Sequence, residues 1–291
     1  MENLFDRINS IIESNLNSNP SLNNRIRSMA MERIRGGAFR AEVERIEKEK
    51  DYTCQAVLSL MKEIMLGVSG GTEPKEWLGY TYQHVLEKSF PNAVQIKMNR
   101  ELDGASELYF DVLSAVAESQ KESDDGTWQS KYAFEFLKDS EIKDLENSYE
   151  YEKFINVFKN DHVYEMMKLN QELLGYSTLD HILGVHYLAL FIARQLKEAG
   201  VAIDLGRVSG AAAGHDIGKY GCKGSEMKRV PYLHYYYTDE WFKKHDIVYI
   251  RNVAVNHSTW DLELEALPIE SLVLIYSDFR VKQKKVEGSL T

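Results

Sequence analysis

Seven of the eight histidines fall between positions 162 and 257, and the segments around several of them have residue types suited to holding a cation. Asp180-His181-Ile-Leu-Gly-Val185 comes first, Ala211-Ala-Ala-Gly-His215-Asp216-Ile-Gly-Lys219 follows, and Ile275-Tyr-Ser-Asp278 lies near the end. Imidazole nitrogens combined with carboxylate oxygens suit a divalent metal such as Mn, Fe, Ni, Co, Zn or Mg. Cys54 and Cys222 lie far apart and form no CxxC pair, so the sequence offers no thiolate site. Asp278 is surrounded by Leu272, Val273, Leu274, Ile275, Tyr276 and Phe279, in a helix that reads as largely buried. A carboxylate there needs a partner, which can be a metal, a basic side chain or the end of a neighbouring helix.

Taken together, the three segments resemble the HD-domain superfamily of metal-dependent phosphohydrolases, over about residues 170 to 285. The resemblance implies that His181, the His215-Asp216 pair and Asp278 bind the metal. Family members with paired metals add later histidines, for which His234 and His257 are the candidates; the alternative is that these two are ordinary hydrogen-bonded histidines. Lys219, three residues past the pair, is implied to reach a phosphate oxygen. Asp216 and Lys219 are therefore the expected catalytic residues, acting on a phosphate ester or anhydride, a nucleotide among them, through metal-activated water. No Gly-Tyr-Pro signature follows the metal motif, so the cyclic-dinucleotide branch is not implied.

Other residues could shape such a site. Lys223, Lys228, Arg229 and Arg280 add positive charge near the motifs, although a solvated basic loop explains the first three equally well. The run Tyr232 to Tyr237 and Trp260-Asp261 could line a pocket and stack on a base, or simply fill a groove or the core. His245, after Lys243-Lys244, reads as a solvated surface residue, and His84, His162 and His186 read as structural. His186 lies five positions after His181, about 140° around a helix, and so points away from the motif.

These residues need helices to position them. Glycine (18) and proline (5) are scarce in 291 residues, and long stretches lack the alternation of exposed strands. An all-α fold is expected: a helical HD-type metal-binding bundle preceded by a helical N-terminal region. Breaks fall at Asn17-Ser-Asn-Pro20, Gly36-Gly37 and Gly67 to Pro74, and two or three further helices at 77–120. Lys121 to Gly126 reads as a surface turn, and Lys138 to Glu150 as a charged run with nothing to stop a helix. Tyr151 to Leu174 reads as one helix, and Ser177-Thr-Leu-Asp180 starts another running to about Ala199, with His181 in its first turn. A helix from about Leu205 runs through small residues into His215, with Gly218 ending or bending it. Pro268 starts a last helix that Gly288 could close, with Asp278 in its middle.

The expected organisation is a helical N-terminal region of unknown role over 1–150 and an HD-type hydrolase domain over 151–291. A formal charge of -10 opposes long-range attraction to nucleic acid or an anionic membrane, so any anionic ligand must meet local positive charge. No apolar run approaches the length of a bilayer span and the cysteines show no disulfide framework; a soluble protein of the reducing cytoplasm is expected, for which a homo-oligomer is compatible. The chain ends shortly after Asp278, which leaves room for substrate contacts from sequence beyond Thr291. Two further readings stay open: a paired-iron oxygenase of the same fold, and a non-catalytic nucleotide-sensing or scaffolding module.

Overall fold

The computed structural model describes residues 3–20, 22–71, 74–122, 134–174, 178–257, 264–282 and 285–286. The fold is all-α, and the backbone divides into two compact units, each assembled from separated stretches of chain. Unit 1 comprises Met1–Lys88, Val94–Ala133 and His162–Gly175; unit 2 comprises Ser89–Ala93, Phe134–Asp161 and Tyr176–Thr291. The expected boundary near residue 150 therefore does not separate them. Residue 150 lies in the first turn of a unit 2 helix, and the Glu150 carboxylate accepts hydrogen bonds from the backbone N–H groups of Val248 (3.0 Å) and Ile250 (2.8 Å). That ties residues 148–160 to the C-terminal part of the chain.

Unit 1 contains α1 (Leu4–Ser18), α2 (Asn24–Ile34), α3 (Gly37–Glu49), α4 (Cys54–Val68), most of α5 (Pro74–Ser89), α6 (Asp103–Glu122) and α9 (Val163–Leu174). Side chains of Asn3, Asn23 and Thr53 accept from backbone N–H groups in the first turns of α1, α2 and α4, satisfying donors that a helix start leaves open. Ile8, Ile12 and Leu16 form a buried stripe along α1, which packs with α4 and α9 around α6 through Leu108, Val112, Leu113 and Val116.

Unit 2 contains α7 (Asp139–Ile142), α8 (Ser148–Asn160), α10 (Thr178–Glu198), α11 (Leu205–Gly214), α12 (Gly218–Gly221), α13 (Val230–Lys244), α14 (Tyr249–Ala254) and α15 (Ile269–Arg280). At its centre α11 is buried at every residue but Arg207 and packs on α8, α10, α14 and α15. Small residues make this approach available: a Cβ on Gly210 would meet Ile250 at 2.7 Å, and one on Gly214 would meet Phe242 at 2.7 Å. The hydroxyls of Tyr151 and Ser209 lie 2.9 Å apart, and Ser209 Oγ is 3.1 Å from His186 Nε2, a fully buried polar set beneath the helices.

Three local expectations are corrected. The single helix over Tyr151–Leu174 is broken at Asp161-His162, where His162 adopts φ 51°, a left-handed conformation that ends α8 before α9 begins. The last helix ends at Arg280 instead of near Gly288, because Val281–Lys282 and Lys285–Val286 form a two-stranded antiparallel hairpin, β1 and β2, with Val281 opposite Val286. Asp278 thus sits in the last turn of α15, not its middle, and Tyr276 and Phe279 beside it are exposed. Residues 123–133, the presumed turn up to Gly126 included, lie outside the described residues, as do Ser177, Trp260, Asp261 and Gly288. Among the described residues no helix is long and apolar enough to cross a membrane.

Candidate metal centre

Five helices of unit 2 deliver the motif residues to one place, each from a helix end or near one. His181 lies in the first turn of α10, His215 and Asp216 directly follow α11, and His234 lies in the second turn of α13. His257 comes three residues after α14, and Asp278 lies in the last turn of α15. His181 Nε2 is 2.9 Å from Asp278 Oδ1, 3.5 Å from His215 Nε2 and 3.6 Å from Asp216 Oδ2. His215 Nε2 lies 3.6 Å from Asp216 Oδ2 and 3.7 Å from Asp278 Oδ1. The other oxygen of the same aspartate, Oδ1, faces His234 Nε2 at 3.5 Å and His257 Nε2 at 4.0 Å, and those two nitrogens are 3.4 Å apart.

The imidazoles are oriented from behind in the same way. Nδ1 of His181 bonds the carbonyl oxygen of Val281 (3.0 Å), His215 that of Ala212 (2.9 Å), His234 that of Val230 (2.8 Å) and His257 that of Ala254 (2.6 Å). A carbonyl only accepts, so Nδ1 carries a proton in all four rings, and in any ring that is neutral Nε2 presents a lone pair. The centre is then a shell of acceptors facing one another. Nitrogen lone pairs and carboxylate oxygens 2.9 to 3.7 Å apart repel unless a cation or a proton lies between them. The donors group as His181, His215 and Asp216, and again as Asp216, His234 and His257, each set close enough to share one ion, with Asp216 common to both. These residues fit a divalent metal, and a backbone carbonyl holding Nδ1 is the usual support for a metal-bound imidazole.

Burial and charge pull against each other at the centre. For Asp216 burial raises the carboxyl pKa, but the surrounding His215, Lys219, His257 and His181 outweigh it and keep the group ionised well below the usual range. Burial pushes His215 down to about 4 and also lowers His234, so both rings are neutral at neutral pH. His181 is shifted upward: burial opposes its charging, but the bond to Asp278 and the field of Asp216 win. Asp278 is lowered against its own burial by the His181 bond and by His215. Lys219 Nζ lies 2.5 Å from Asp216 Oδ2.

The walls are uneven. Asp216, His215 and His257 are almost wholly enclosed, whereas the side chains of His181, Asp278 and Lys219 retain 20%, 25% and 27% exposure and form the accessible edge. Thr238 escaped the sequence reading, whereas Tyr235 belongs to the run expected to line a pocket. Thr238 Oγ donates to the His215 carbonyl (3.1 Å) and accepts from Gly218 N–H (3.1 Å), while the Tyr235 ring lies against His234, 3.8 Å between centroids, and His257, 4.9 Å. Thr238 stands four residues after His234 on one face of α13, a spacing that could have flagged it.

The remaining candidates lie elsewhere. Lys223, Lys228 and Arg229 are exposed, and the Arg280 guanidinium sits over the Tyr276 ring at 5.9 Å. His186 is buried on Ser209 as a structural residue. His84 and His162 are buried in unit 1 beside Glu107, at 2.7 Å and 3.5 Å. His245 is not the solvated residue expected: its ring packs 4.8 Å from Trp241, and burial pushes it down to about 4. Compared with family models, curated proteins and solved structures, the chain matches none.

Proposed function

We propose that the chain is a metal-dependent hydrolase of phosphate esters or anhydrides, with nucleotides among its substrates, built on the HD-domain pattern that its motifs resemble. The observation that carries this reading is the shared carboxylate: Asp216 turns one oxygen to His181 and His215 and the other to His234 and His257. A divalent ion held there would lower the pKa of water it binds towards about 7, making hydroxide available at neutral pH.

The protein's own residues supply the rest. Fixed Nδ1 bonds keep four Nε2 atoms aimed inward, so little reorganisation accompanies binding or reaction. Asp216, held ionised, orients the nucleophilic water and balances cationic charge. Substrate enters over the exposed edge formed by His181, Asp278 and Lys219, where the Lys219 ammonium offsets charge growing on a phosphoryl oxygen. The enclosed side, lined by His215 and His257, excludes bulk water.

The test is metal analysis of the purified chain, then hydrolysis assays on phosphomonoesters and nucleotides with Mn, Ni, Co, Fe, Zn or Mg. Turnover that vanishes with chelator and in Asp216→Asn is expected. Metal-loaded protein that hydrolyses none of the panel overturns the reading. The same two donor sets would also serve a paired-iron oxygenase, and oxygen consumption by the reduced, iron-loaded chain without phosphate release would favour that chemistry.

A further inference from the structure

A surface of unit 2 carries a different kind of chemistry. Between residues 223 and 237 an otherwise acidic protein has three cations, Lys223, Lys228 and Arg229, against one carboxylate, Glu226, and the next two carboxylates, Asp239 and Glu240, both pair with Lys243. Glu226 is already engaged, accepting from the Lys223 backbone N–H at 2.9 Å and from the Tyr237 hydroxyl at 2.8 Å. Four exposed arginines elsewhere are matched: Arg33 pairs with Glu63, Arg35 with Glu13, Arg40 with Glu44 and Arg100 with Glu87, while Arg25 forms no ion pair among the described residues. Lys228 and Arg229 are exposed and, among the described residues, neither forms an ion pair.

Immediately after them, α13 presents Tyr232 and Tyr236, 79% and 57% exposed, among the most exposed large side chains of the chain. Their spacing of four places them one above the other on one helix face, about 6 Å apart. His234, between them, is buried in the metal centre and lies about 160° round the helix from each, so this face is not the metal centre's own wall. Two exposed phenol rings on one helix face, following cations without an ion pair, match a ligand with repeating aromatic faces and repeating negative charge.

We infer that the Lys228-Arg229-Tyr232-Tyr236 stripe is a docking surface for single-stranded nucleic acid, the cations meeting phosphates and the tyrosines stacking on bases. The net charge of -10 disfavours long-range attraction, so binding rests on these local groups and is strongly salt-dependent. An anionic membrane is the competing partner, but tyrosines without exposed Leu, Ile or Trp in the stripe suit stacking better than insertion into acyl chains. This inference does not depend on the metal reading.

The experiment is fluorescence anisotropy of the full chain with a labelled single-stranded oligothymidylate of about 12 nucleotides, at low salt and in chelator, so that metal occupancy plays no part. Binding is expected, weakening by about tenfold for each of Tyr232→Ala and Tyr236→Ala. In Lys228→Ala/Arg229→Ala, the slope of log affinity against log salt should shrink by about 1.4, or about 0.7 for each lost phosphate contact. All four side chains are exposed, and circular dichroism checks that the variants fold. Absent binding, binding that none of these substitutions changes, or capture by phosphatidylserine vesicles without oligonucleotide binding would each overturn the inference.

Discussion

Asp216 is the residue on which both donor sets depend, so its chemistry separates a metal centre from a buried polar network. Asp216→Asn keeps the size and removes the charge shared by His181 and His215 on one side and His234 and His257 on the other. Metal affinity should fall by more than about 100-fold, since groups merely supporting a ligand are worth about 10–100-fold. His257→Gln removes a donor from one set only, leaving His181, His215 and Asp216 intact. Elemental analysis should then find the two variants unequal, with His257→Gln retaining an ion and Asp216→Asn losing all; equal retention would show that Asp216 joins no metal. The residues that do this work were legible because the chemistry is carried by types that are rare together, His beside Asp with glycine and lysine at short spacing. Their Nδ1 supports were not, because Ala212, Val230, Ala254 and Val281 act through backbone carbonyls that any residue type supplies.

Among the elements, the approach of α12 to α13 governs how the site is assembled. A Cβ at Gly218 would come within 2.0 Å of the His234 carbonyl oxygen and 2.4 Å of Thr238 N, both backbone atoms that cannot swing aside. Gly218→Ala should therefore push α13 outward, displace His234, and cost about 3 kcal/mol or more in a urea titration, the upper end of overpacking effects. Stability within about 0.5 kcal/mol of the parent would mean that the two helices need no such contact. The starts of α11 and α15 were readable near Leu205 and at Pro268, and in the structure Asp204 and Pro268 stand at their caps. The break at His162 was not, because an imidazole in a left-handed conformation leaves no composition signal in a run without Gly or Pro. Nor was the hairpin after Arg280, although its Val281 carbonyl is what fixes His181. The division into units was hidden for a related reason: it is decided by which helix faces meet over long sequence separations, as in the Glu150 cap on α14, and not by any linker composition.

For the whole molecule, the concentration of buried imidazoles predicts how stability responds to acid. Burial lowers His215 and His245 from an ordinary 6.5 to about 4, and lowers His234 as well. The folded chain therefore refuses protons that the unfolded chain accepts, so stability is fully present above pH 6.5 and declines as pH falls towards 4. For the fully buried His215 the loss is on the order of 3 kcal/mol across that window, with a smaller contribution from the less enclosed His245. His181 acts in the opposite sense, since Asp278 raises it and its proton is held more tightly in the folded state, so it offsets part of the decline. Below about pH 4, Asp216 and Asp278, both lowered, add their own loss as they are forced to protonate. Thermal unfolding in chelator should thus show a midpoint that drops steadily from pH 6.5 to 4, and a flat profile across that range would contradict the buried neutral state of these rings. Metal shifts the same balance, because ions and protons compete for Nε2 of His181, His215, His234 and His257. Added metal should raise the midpoint most at pH 7 and progressively less towards pH 5, a convergence that a purely structural histidine cluster would not produce.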